Sequence, residues 1–97
     1  MTGVIGLGSL KLVSGWSPNR SLDPVLHEVL SNHAGANDVR RLQDSVFVIY
    51  TEAEPADVRN WLAGQLTDQE SVIVVEFERW SSNGPAIDRS WLLRRGH

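Results

Sequence analysis

The sequence predicts an α+β domain in which amphipathic helices cover one face of a small antiparallel sheet. Three features carry this. Ser45-Val46-Phe47-Val48-Ile49-Tyr50 is rich in β-branched and aromatic residues, the composition of a buried strand. Ser71 to Trp80 is a second such run, with Ile73, Val75 and Phe77 on one face and Val72, Val74, Glu76 and Glu78 on the other. A helical pattern precedes the first run, and another lies between the two.

Along the chain, Leu10 and Leu12 alternate with Ser9, Lys11 and Val13, which predicts a strand over 9–14. Residues 1–8 read either as a loose arm or as a short extra strand turned back at Gly8-Ser9. Ser14 to Ser21 is a loop by composition. Asp23-Pro24 reads as an N-cap followed by Pro at the first helical position. Leu22, Val25, Leu26, Val29, Leu30 and His33 supply a helical stripe, and Gly35 supplies the stop. Ala36 to Gln43 is polar and reads as a short strand turning at Asp44 into a strand over 45–51.

Glu54-Pro55 opens a second helix over 55–66, where Glu54 and Asp57 suit the positive end of the helix dipole. Val58, Trp61, Leu62 and Leu66 form its stripe, with Gly64 inside it at a cost of about 1 kcal/mol relative to Ala. The stretch Ser81-Ser82-Asn83-Gly84-Pro85 is a loop, and residues 86–97 form a C-terminal extension, either an edge strand or one or two helical turns. The order strand, helix, hairpin, helix, strand predicts a ferredoxin-like βαββαβ layer in one domain spanning 1–97.

Bulk properties bound the function. A chain of 97 residues buries a modest core, so dimerisation would add useful stability. The net charge of −3 differs from the basic balance usual in nucleic-acid binders. There is no Cys, which excludes disulfides and thiolate metal sites. The N-terminal residues lack a basic segment ahead of an apolar one, and no run has membrane-spanning length, so the expected location is the cytoplasm, with no membrane partner. Four Trp in so short a chain suggest an interface.

Arg41-Leu42-Gln43-Asp44-Ser45-Val46-Phe47 resembles the R-x-Q-x-S-V-F hairpin of the small CRISPR-associated endoribonuclease family, the dimeric partner of the spacer integrase. Helix 55–66 followed by Asp68-Gln69-Glu70-Ser71-Val72-Ile73-Val74-Val75 resembles that family's second helix and its D-S-V strand. The region is closer still to the SinR-like relatives of that family, whose C-terminal Trp-Leu is matched by Trp91-Leu92. The resemblance spans roughly residues 22–93 and implies a ferredoxin-like fold and a homodimer. In the nuclease family an aspartate ending the first strand, one from each protomer, binds the catalytic metal. Here that end reads Val13-Ser14-Gly15-Trp16, without the hard anionic oxygen that Mg²⁺ requires. The nuclease activity is therefore not carried over.

Each candidate site has a plainer alternative. Glu76 and Glu78, with Asp44, are the carboxylates available for a divalent-metal site completed by a second protomer; they read equally as a solvated or Arg-paired sheet face. Arg40 and Arg41 with Lys11 or Arg20 could form a basic edge for phosphates, or be ordinary surface. His27 and His33 lie about 240° apart around one helix, off the spacing of paired metal ligands, and His33 reads as a packed helix-end residue. Trp80, Trp91 and Leu92 read as an interface with a second copy, or as a closure of the protomer's own core. The residues outline no Ser-His-Asp set and no phosphate loop.

The leading expectation is a non-enzymatic homodimer serving assembly or partner binding, with no cofactor and a protein partner as the target. The alternatives are a metal-dependent endoribonuclease or toxin-like RNase using Glu76, Glu78 or Asp44, for which Mg²⁺ would be the cofactor, and a nucleic-acid-binding module without chemistry.

Overall fold

The computed structural model describes residues 8–95. The elements are β1 (Ser9–Trp16), α1 (Asp23–Ala34), a 3-10 turn (Ala36–Asp38), β2 (Val39–Gln43), β3 (Val46–Thr51), α2 (Pro55–Ala63), β4 (Ser71–Phe77) and α3 (Arg89–Arg94). The four strands form one sheet in the order β2-β3-β1-β4, and every neighbouring pair is antiparallel. The expected α+β architecture is thus present, with β1 central and β4 and β2 at the edges. Most of the expectation for residues 1–8 falls outside the described residues.

Strand register sorts the side chains onto two faces. Val13 lies between Phe47 and Val74, and these pack with Leu22, Leu26 and Leu30 of the α1 region and Val58 and Leu62 of α2 into one core. Both long helices therefore cover the same sheet face. Leu10, Leu12, Val48, Tyr50 and Phe77 point the other way, where Trp91 and Leu92 of α3 form a second cluster with them.

Local chemistry accounts for the ends. β1 continues two residues past its expected end because Gly15 carries no Cβ. A Cβ there would stand 2.9 Å from Leu22 Cδ1 and 3.3 Å from Leu26 Cδ1. Its N–H donates to the Ser45 carbonyl at 2.8 Å, which ties β1 to the hairpin turn. The second helix stops at Ala63, three residues short of the expected boundary, with Gly64 as its cap and not in its interior. At its start the Asp57 carboxylate accepts from the Glu54 N–H at 3.3 Å. β4 ends at Phe77, so Glu78 and Trp80 lie beyond the strand. The tail forms the short helix α3.

Asp23 does not cap α1. It is the first helical residue, with Leu22 at the cap position, and its carboxylate turns outward to the hairpin instead.

Candidate functional site

At the β2–β3 hairpin, Asp44 and Ser45 join Gln43 to Val46, and Ser45 takes a φ of 62°, the left-handed region usually left to glycine. The surroundings hold it there. Asp23 accepts from the Ser45 N–H and from Arg41 Nε, and Ser45 Oγ accepts from the Leu22 N–H at 2.9 Å. Ser21 Oγ donates to Asp44. Burial works against the Asp23 charge, but the Ser45 N–H and the Arg41 guanidinium outweigh it and bring the carboxyl below its ordinary range. Ser45 is buried, so the Gln-Asp-Ser-Val-Phe wording specifies a joint between hairpin and helix.

At the opposite end of the sheet, Lys11 is 1% exposed. Its ammonium donates to Ser9 Oγ at 2.6 Å and to the Thr51 carbonyl at 2.8 Å, with Glu76 Oε1 at 3.6 Å. Glu76 also accepts from Ser9 Oγ at 3.1 Å. Glu76 is thus the partner of a buried amine. It stands opposite Lys11 in the register, whereas Asp44 is at the far end beyond the Ser14–Val46 pair. The three carboxylates considered from sequence do not converge within one chain. Among the described residues no group of three or more His, Asp or Glu side chains is placed to hold a metal ion.

The basic edge is likewise dispersed. Lys11 is buried, Arg41 is paired with Asp23 on the helix side, and Arg40 donates to Asp88 Oδ2 at 3.2 Å on the other face. Arg20, the fourth candidate, grips Glu70 through Nε at 2.7 Å and Nη2 at 2.8 Å. His33 is exposed, not packed inside, and stacks on the Trp61 ring at 4.4 Å.

Trp91 is fully buried by its own chain. Its Nε1 donates to the Asn37 carbonyl at 2.7 Å, and the Arg40 and Arg95 guanidiniums lie 5.1 and 5.5 Å from its ring centroid. Asp88 caps α3 by accepting from the Trp91 N–H at 3.0 Å. That N–H, aided by Arg40, keeps the Asp88 carboxyl below its ordinary range. Arg95 Nε donates to Asp38 Oδ1 at 2.6 Å. Leu92 is 6% exposed. In this structure Trp91 and Leu92 therefore belong to the protomer's second core, while Trp80 is half-buried beside them.

The sheet face opposite α1 and α2 is only partly covered by α3. Trp16 is 61% exposed, Ile73 60% and Val75 43%. Register places Ser14 between Val46 and Ile73, and Leu12 between Val48 and Val75, so this half of the face has two cross-sheet rows without a charged side chain. Beside it, an apolar groove of about 240 Å³ runs under the α3 end. Its walls include Leu12, Val75, Phe77, Trp80, Ile87 and Leu92. Sequence reasoning placed Trp16 in a loop. Continuing the Leu10, Leu12, Ser14 alternation through Gly15 would have put it on this face.

Among the described residues no helix is long and apolar enough to cross a membrane. Comparison with protein-family models, curated proteins and solved structures finds no match.

Proposed function

We propose that this chain is a ferredoxin-like protein that works through non-enzymatic assembly as a homodimer, related to the SinR-like branch of the CRISPR-associated nuclease fold. The observation that carries the reading is the half-covered sheet face, where Trp16, Ile73 and Val75 stand in solvent beside uncharged neighbours. Large apolar groups concentrated on one face favour association over isolation. The βαββαβ order and the β2-β3-β1-β4 sheet support the ferredoxin-like assignment. The hairpin wording supports the family assignment, since each of Gln43, Asp44, Ser45, Val46 and Phe47 occupies the turn or the strands it joins.

The absence of an acid at the end of β1 supports a role without metal-dependent chemistry. Ser14 and Gly15 occupy that end, and Gly15 is needed for the approach of α1. Sedimentation velocity across a wide range of concentration tests the proposal. A reversible monomer–dimer equilibrium is expected, and a strict monomer at the highest concentration refutes the reading. RNA cleavage that requires Mg²⁺ or Mn²⁺ and is lost in Glu76→Ala would replace it with the nuclease alternative.

A further inference from the structure

We infer that two copies associate face to face through the open half of the sheet, each inserting Trp16 into the other's apolar groove between β4 and α3. The inference rests on the homodimer reading and adds the surface and the residues to it. The knob and the hole lie on the same face of one chain. Trp16 ends β1 on the row of Ser71, and the groove begins at Leu12, four residues back along the same strand and on the same side. A two-fold axis between these features satisfies both at once, since in an isologous contact residue i meets j while j meets i.

Size and polarity agree. A dry apolar cavity of about 150 Å³ takes up benzene; the groove here holds about 240 Å³, room for an indole. Two polar atoms at the groove, Trp80 Nε1 and Ser82 Oγ, have no hydrogen-bond partner within the chain. Such groups cost about 1–3 kcal/mol each when sealed from water unpaired. Ser82 Oγ is an acceptor suited to the N–H of an incoming indole.

Charge also selects a second copy as the occupant. The chain carries a net charge of −3, so two copies repel in general, yet the rows Ser14–Val46–Ile73 and Leu12–Val48–Val75 oppose their own images without bringing like charges together. The available area sets the strength. The eight residues of β1 and the four strands span roughly 26 by 19 Å at ordinary spacings, or roughly 500 Å² per copy, and α3 occupies one end. Two copies together bury at most about 1,000 Å², the low end for specific interfaces. The dimer is accordingly weak and reversible.

The test combines two variants at exposed positions with a control on the opposite face. Trp16→Ala removes the knob, and Val75→Lys puts a charge on the groove wall. Arg59→Ala changes α2 on the helix side. Far-UV circular dichroism and melting verify the fold of each. Sedimentation velocity is run from roughly 5 to 500 µM, the range in which a weak dimer dissociates. The wild-type chain and Arg59→Ala are expected to dimerise alike. Both face variants are expected to weaken the dimer by about tenfold or more, the loss typical of removing an interface anchor. The wild-type Trp emission is expected to move to shorter wavelength as the dimer fills. A dimer that survives either face variant, or forms without the emission shift, overturns the inference while leaving the homodimer reading intact; this includes a dimer built by edge-to-edge pairing of β4. A wild-type chain that stays monomeric overturns both.

Discussion

Replacing Trp91 by Ala decides whether α3 is part of the protomer's own core. Trp91 is fully buried against Leu10 and Val48, bonded to the Asn37 carbonyl and flanked by two guanidiniums. Truncation of a buried aromatic to Ala costs about 3–5 kcal/mol, through lost burial and the cavity left behind. A chain of 97 residues has a total stability of about 5–15 kcal/mol, so the loss is a large share of the whole. At roughly 4–8 °C per kcal/mol, the melting temperature should fall by at least about 12 °C. Trp91→Phe separates the contributions. It keeps most of the ring and removes only the indole N–H, and the Asn37 carbonyl retains Arg95 Nη2 at 3.2 Å, so the cost should be about 1–2 kcal/mol. Urea unfolding followed by far-UV circular dichroism reads both, since that signal does not depend on Trp emission. A loss below about 1 kcal/mol for Trp91→Ala, measured at a concentration where the chain is monomeric, would refute the docking of α3 and return Trp91 to the role of an interface residue.

Two further predictions concern the joints of the fold. Asp23→Ala should cost about 1–3 kcal/mol, because it leaves the Ser45 N–H unpaired in a turn that Ser45 adopts only under constraint; chemical unfolding measures it, and a neutral result would mean the turn holds itself. Glu70 is the acid sensor of the loop before β4. The Arg20 guanidinium, with the Thr67 N–H and Ser17 Oγ, lowers its carboxyl from 4.5 to about 2. A lowered carboxyl favours folding when charged, so its contribution is complete above pH 4.5 and is lost as the pH falls from there toward 2. Glu70→Gln should therefore flatten the acid limb of the stability–pH curve in that window; an unchanged slope would show that the Arg20 pair contributes nothing in solution.

The strands and both long helices were legible in the chain because their signals are local. Val46 to Tyr50 and Ser71 to Phe77 are β-rich runs, and the stripe through Leu22, Leu26 and Leu30 has a period that only a helix satisfies. Short-range chemistry also marked the hairpin turn at Asp44-Ser45. Boundaries were less legible. Gly15 reads as a breaker in one dimension, yet in the fold it lets α1 approach and β1 continue to Trp16. The candidate sites were least legible. Asp23 looks like a helix cap until Ser45 and Arg41 arrive beside it from about twenty residues away. Lys11 looks like surface until Ser9, Thr51 and Glu76 enclose it.

Residue order alone determined that there would be a sheet with helices on it, because periodicity and turn chemistry act over a few neighbouring residues. Tertiary structure decided the partners of every charge and the fate of every Trp. Trp91 went inside and Trp16 stayed out because α3 folds over one end of the sheet and leaves the other end bare. That choice depends on contacts such as Asn37 with Trp91 and Asp38 with Arg95, more than fifty residues apart in the chain, which no local pattern encodes.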